Sequence, residues 1–299
     1  MIQTLNKKIP LKDIKGEYIF AHEHLDFDLR PIRKDETSFV KDEELVLSEL
    51  SHVKKGELGL IVDVSNQSMD SNKDNLFNLS NKLNIPIVGA TGYYLNEYEK
   101  NNNKSTSELE KEFTQHILEG VGKNKLKAGI IGEIATSSDK IHSFERKVFT
   151  AATRVQKKLN TPIYTHINVG DMAEQHLNLL NELNAIPSKT IIGHGEFVEL
   201  ETIKKILKDG YFLGIDTIGK QSYLSDSIRA EKLIKLIELG FEDQIVLSLD
   251  ISKQDYLKKL GGHGYAHLIN EFYPLVKDKL SDIQWKKITF NNILKVLDI

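Results

Sequence analysis

Two histidines one residue apart, His22 and His24, close an otherwise apolar run, EYIFAHEH. On an extended strand the pleat sends both imidazoles to one face. Buried together, two imidazoles repel when protonated and lose hydration when neutral, so a shared cation suits them. The chemistry such a cation brings is hydrolysis, because a divalent ion lowers the pKa of a bound water from about 16 toward neutrality. On its own, a His-x-His pair is more often an accident of surface or core.

The pair gains weight from four further runs that end the same way. Glu133 closes AGIIGE, His166 closes PIYTH, His194 closes TIIGH and Asp250 closes QIVLSLD. The chain has no cysteine, so any metal must be held by imidazole, carboxylate and water. Four imidazoles and two carboxylates are enough for two divalent ions; zinc is the default, and manganese or cobalt suits the same ligands. Each residue singly reads equally well as a hydrogen-bonded polar group at a strand end. It is the set of six that points to a metal centre.

Eight apolar runs carry or flank these residues: Glu17 to His24, Gly59 to Ser65, Pro86 to Thr91, Ala128 to Glu133, Pro162 to His166, Thr190 to His194, Tyr211 to Asp216 and Gln244 to Asp250. They read as buried parallel strands. Helical periodicity fills the intervals, as in Ser143 to Lys158, Met172 to Leu183, Val198 to Lys208 and Ser227 to Leu239. The repeat of roughly thirty residues matches one strand-crossover-strand unit. The economical α/β solution is a (β/α)₈ TIM barrel in a single domain, with strand ends converging on one mouth. An open doubly wound sheet is the alternative, weakened because His22-Glu23-His24 stands where a glycine-rich phosphate loop belongs. Residues 1–16 read as a lead-in closing the barrel floor, 17–280 as the barrel and 281–299 as a terminal helix. The polar stretch Asn96 to Glu110 reads as a loop over one mouth.

Forty basic residues stand against forty-three acidic ones in 299, without a long block of either sign, so no nucleic-acid surface is signalled. No run approaches a membrane span or a secretory signal, and the expectation is a cytoplasmic chain acting on a small molecule. Exposed barrel helices leave room for a homodimer.

The segments AHEHL (21–25), ATGYY (90–94), KAGIIGEIATS (127–137), THINVG (165–170), GHGE (193–196), DTIGKQSY (216–223), LSLDIS (247–252) and GGHGY (261–265) run in order through most of the chain. In them the sequence resembles the phosphotriesterase family of the amidohydrolase superfamily, and within it the phosphotriesterase-homology branch. The resemblance implies that His22, His24 and Asp250 bind the more buried metal, that His166 and His194 bind the more exposed one, and that Glu133 bridges both. Many family members bridge with a carboxylated lysine; here, as in the homology branch, glutamate stands at that place and needs no carbon dioxide to become a ligand.

On this reading a metal-bridging hydroxide is the nucleophile, and Asp250 accepts its proton and passes it to the leaving group. Substrate contacts are expected from Tyr94, the counterpart of a tyrosine in the family's lactonases, from Lys220 and Arg229 beyond the seventh strand, and from His263 and Tyr265 in the glycine-rich turn beyond the eighth. The expected activity is hydrolysis of a small ester or lactone, with a sugar lactone bearing an anionic group as one candidate. An amidase on a small N-acyl compound stands second, since one nucleophile attacks either carbonyl. A metal-binding barrel without catalysis stands third, and its mark, a missing ligand, is not found.

Overall fold

The computed structural model describes residues 1–54, 56–96, 103–170 and 172–299. Its centre is an eight-stranded parallel sheet with the strands in sequence order. They are β1 (Tyr18–Glu23), β2 (Leu58–Asp63), β3 (Ile87–Thr91), β4 (Ala128–Thr136), β5 (Ile163–Ile167), β6 (Thr190–Gly193), β7 (Phe212–Ile215) and β8 (Ile245–Leu247). The ring shuts where the Asp250 amide donates to the His22 carbonyl at 3.3 Å and the His22 amide donates to Ser248 Oγ at 3.1 Å. Glu23 reinforces the seam by accepting from the Ser248 hydroxyl and from the amides of Leu249 and Ile251. This is the expected (β/α)₈ barrel.

Among the described residues, seven longer helices alternate with the strands: α1 (Glu43–Leu50), α2 (Lys73–Leu83), α3 (Thr106–Leu118), α4 (Ser143–Leu159), α5 (Ala173–Glu182), α6 (Leu200–Lys208) and α7 (Asp226–Glu238). Strand side chains divide accordingly. Ile19, Ala21, Val62, Val88, Ile130, Tyr164, Ile191, Phe212 and Val246 fill the barrel, while Phe20, Ile61, Ile131, Ile163, Leu213 and Leu247 pack outward under the helices. No described helix is long and apolar enough to cross a membrane.

The N-terminal residues form a two-stranded antiparallel pair of their own. Ile2–Gln3 pairs with Lys8–Ile9, and Leu5 bridges the Ile87 carbonyl and the Lys127 amide at the start of β3 and β4. The polar stretch differs. Residues 97–102 lie outside the described residues, and from Ser105 onward the stretch is helix: the Ser105 hydroxyl and the Glu108 carboxylate form a capping box that starts α3. The terminal helix is broken into Asp282–Lys286, a π-helical turn over Lys287–Asn291, and Asn292–Leu297.

Candidate active site

Simple alternation does not bring the six candidate ligands to the barrel mouth; three local irregularities do. In β1, Ile19 and Ala21 point inward, so an unbroken pleat would turn His22 and His24 out. Between Phe20 and Glu23 the strand takes three steps while β2 takes two, from Ile61 to Asp63. The extra residue resets the alternation and both imidazoles face the interior. In β4 the same device acts between Ile131 and Ile134, opposite Ile163 and Thr165, and swings Glu133 inward. At the end of β6, His194 adopts φ +57°, a left-handed conformation that few non-glycine residues take, and this turns its ring back into the mouth. His166 follows the regular pleat of β5, while Asp250 stands three residues beyond β8 and, like His194, has a positive φ, of 49°.

The result is one buried cluster. Glu133 Oε2 lies 3.0 Å from His166 Nδ1, 3.6 Å from His22 Nε2 and 3.8 Å from His194 Nε2, while its Oε1 is 3.4 Å from His24 Nε2. Asp250 Oδ1 is 3.2 Å from His24 Nε2 and 3.8 Å from His22 Nε2. Two sets have ligand atoms close enough to share an ion: His22, His24 and Asp250, and His22, Glu133 and His194. His22 is fully buried, yet neither ring nitrogen has a hydrogen-bond partner. An orphaned imidazole facing the carboxylates of Glu133, Asp250 and Asp216 suits a metal ligand, so the donor set fits divalent cations.

Electrostatics agree. Burial opposes charge on His24, but Asp250 and Glu133 outweigh it and lift its pKa to about 10. His194 is lifted to about 9 against the same burial by Asp216. Burial alone dominates His22 and lowers it to about 4. Despite their own burial, Glu133 is held well below the usual carboxylate range by His166 and His22, and Asp250 by Lys220 and the two strand-one histidines. The carboxylates at the mouth stay ionised and draw positive charge to it.

Outer contacts aim the rings. His24 Nδ1 meets Ser65 Oγ at 2.9 Å, and His194 Nδ1 donates to Asp216 Oδ1 at 2.7 Å, which leaves each Nε2 toward the cluster. Asp216 also accepts from the Tyr164 hydroxyl at 2.6 Å. Gly214 makes room for this pair, since a Cβ there would lie 2.4 Å from Asp216 and 2.5 Å from the tyrosine oxygen. The sequence reading gave Asp216 no role, although it closes YFLGID as the six ligands close their own runs. Tyr164, buried inside the barrel, gave no signal.

The expected substrate contacts divide. The Tyr94 hydroxyl stands 3.1 Å from His166 Nε2, at the cluster's edge. Lys220 is 4% exposed and ion-paired to Asp250, 2.9 Å from Ser252 Oγ and over the Tyr256 ring. Arg229, by contrast, is fully buried and its guanidinium is occupied by Asp226, Glu196, Thr217 Oγ1 and the Lys220 and Leu224 carbonyls. It is a framework cation, not a substrate contact. Tyr265 is 1% exposed and packs on Phe20, on the outward face of β1, so it too belongs to the framework. The His263 ring lies between Tyr256 and His267, against Gly219 rather than the ligand cluster.

Comparison with known proteins follows this geometry. The phosphotriesterase family model matches residues 4–297. The chain is 32% identical to the phosphotriesterase homology protein of Escherichia coli over 87% of this chain and 90% of that one. The crystal structure of that protein, complexed with phosphate in its active site, superposes with a TM-score of 0.91, covering 96% of this chain and all of the other at 30% identity. An N-acetyltaurine hydrolase of Salmo salar is 30% identical over 85% of this chain and 77% of its own. The lactonase Lmo2620 of Listeria monocytogenes shares the fold, with a TM-score of 0.89 at 22% identity over 99% and 98% of the two chains. The chain belongs to the phosphotriesterase family and is a metal-dependent hydrolase.

Proposed function

We propose that this phosphotriesterase-family hydrolase cleaves a small carbonyl compound carrying an anionic group, an N-acyl amide in the first place and a lactone or ester in the second. The observation that carries the reading is the cluster itself, four imidazoles and two carboxylates meeting around the unpartnered nitrogens of His22. His22, His24 and Asp250 would hold one divalent cation, His166 and His194 the other, with Glu133 between them. When bound, the pair supplies an ionised water at neutral pH and polarises the carbonyl.

The chain's own groups do the rest. Asp250 presents Oδ1 to His24 and Oδ2 to Lys220, which places an ionised carboxylate at the edge of the cluster. It takes up the water's proton and returns it to the leaving group. Tyr94 donates a hydrogen bond to the carbonyl oxygen from the far side of His166. Lys220, a buried cation at the rim, receives the anionic end of the substrate in place of Ser252 Oγ.

The sequence reading ranked ester and lactone above amide. The order is reversed here because the N-acetyltaurine hydrolase relative acts, by its name, on an amide with a sulfonate tail, while the likeness to the Listeria lactonase is one of fold. Assay of the metal-loaded protein against N-acetyltaurine and N-acetyl amino acids beside a panel of anionic and neutral lactones tests the ranking. Turnover confined to lactones reverses it again, and turnover unaffected by a chelator removes the metal centre from the reaction.

A further inference from the structure

The loop from Asp216 to Ser225, between β7 and α7, delivers Lys220 to the site, and its fixation comes from outside the barrel mouth. Asp226, 5% exposed, opens α7 but does not cap it: the N-cap is Ser225, whose hydroxyl accepts from the Ile228 amide. The Asp226 carboxylate instead turns back into the loop and fills both oxygens. Oδ1 accepts from the Gly219 amide and Arg229 Nη1, each at 3.0 Å. Oδ2 accepts from Gln221 Nε2 and His267 Nε2, each at 2.7 Å. Arg229, so anchored, holds the Lys220 carbonyl at 3.3 Å.

His267 belongs to the segment beyond β8, where the glycine-rich GGHGYAH stands. The same segment grips the loop a second time. Gly219, at φ +96°, lies flat under His263, and a Cβ there would come within 2.4 Å of that ring. His263 in turn meets His267 edge-on at 5.3 Å and the tilted ring of Tyr256 at 5.4 Å, the ring beneath the Lys220 ammonium. Two imidazoles four residues apart therefore hold the lysine-bearing loop, His267 through its hydrogen bond to Asp226 and His263 by contact with Gly219.

We propose that Asp226 and His267 form a latch that positions Lys220 and thereby sets selectivity for an anionic substrate. This rests on Lys220 receiving the anion, as proposed above. A lysine has a flexible four-carbon stem, so it discriminates charge sharply only when its backbone is fixed in advance. Neither latch residue touches the substrate; both act through the loop.

The test uses His267→Leu, which removes the donor; His267→Gln, which keeps one; Asp226→Asn; and Lys220→Met as reference, each with metal content measured. The first readout is tryptic cleavage after Lys220 in the folded protein, which reports local opening of the loop. We expect at least tenfold faster cleavage in His267→Leu and Asp226→Asn and a near-native rate in His267→Gln. The second is the ratio of kcat/KM for N-acetyltaurine to that for N-ethylacetamide, the same amide without the sulfonate. It falls about tenfold in His267→Leu through KM, with kcat little changed, and recovers in His267→Gln. Native cleavage rates and a native ratio in His267→Leu and Asp226→Asn, while Lys220→Met loses the ratio, overturn the latch and leave the role of Lys220 standing. A native ratio in Lys220→Met removes the anion site itself, and the selectivity assigned to the latch goes with it.

Discussion

His194 Nδ1 donates to Asp216 Oδ1 across 2.7 Å, and the bond fixes which nitrogen of that ring faces the ligand cluster. Asp216 has no direct part in the cluster, yet it decides the tautomer of one of its members.

Asp216→Asn leaves an isosteric partner but an ambiguous one, since the amide can face His194 with a donor. Metal affinity should fall 10- to 100-fold, the usual cost of losing a carboxylate behind a histidine ligand. Competition with a chelator at fixed pH measures it, and the His194-side ion should leave first. Full affinity in the variant would show that the ring is oriented by packing alone.

Asp250→Asn should lower turnover on the order of 10²- to 10⁴-fold, the range for a positioned proton-transfer group. Much of the metal should stay, because the carbonyl oxygen of asparagine still ligates. Turnover near that of the parent protein would remove Asp250 from proton transfer.

Glu133 needs no carbon dioxide to become a ligand. Metal-free protein reloaded with zinc should regain the same activity with or without bicarbonate, whereas Glu133→Gln should fail to reload fully in either buffer. A bicarbonate-dependent recovery of the parent protein would overturn the role given to Glu133.

His176 is fully buried between Thr136 Oγ1 and Thr165 Oγ1, and burial lowers its pKa from 6.5 to about 3. Between those values the unfolded chain holds a proton that the folded chain refuses. The stability that this one histidine contributes is therefore fully present above pH 6.5 and is lost as pH falls toward 3, by up to about 1.4 kcal/mol per pH unit. Urea midpoints of chelator-treated protein at pH 7 and pH 5 measure it as a difference: the drop in stability should be smaller in His176→Gln than in the parent protein.

Arg229 joins Glu196, Asp226 and Thr217 with no exposed atom to speak of. Arg229→Met strands two buried carboxylates and should cost about 3–5 kcal/mol. Thermal unfolding at neutral pH reads it; a loss below about 1 kcal/mol would mean that Glu196 and Asp226 find other partners.

The barrel, and the six side chains that cluster at its mouth, could be read from the sequence because each of the six ends an apolar run, and run lengths, unlike contacts, are written in the chain. The way they face inward could not. Period-two reasoning puts His22 and His24 on one face, but Ala21 shares the interior with them only because of the bulge before Glu23, which depends on register with Ile61 and Asp63. Glu133 depends on a similar slip opposite Thr165. Arg229 and Tyr265 were misread for a related reason: a cation or a phenol on a loop looks the same in sequence whether it meets substrate or sits under a helix. Asp216 carried the right signal, an acid closing YFLGID, without a named partner to give it meaning.

The seam between the first and last strands has a consequence for synthesis. Glu23 waits for donors some 225 residues downstream, so the ring cannot shut, nor can His22 and His24 meet Asp250, until the chain has been made through Ile251. A nascent chain that stops short of Asp250 thus keeps an uncovered strand edge along Tyr18–Glu23 and lacks one of the two carboxylates of the cluster.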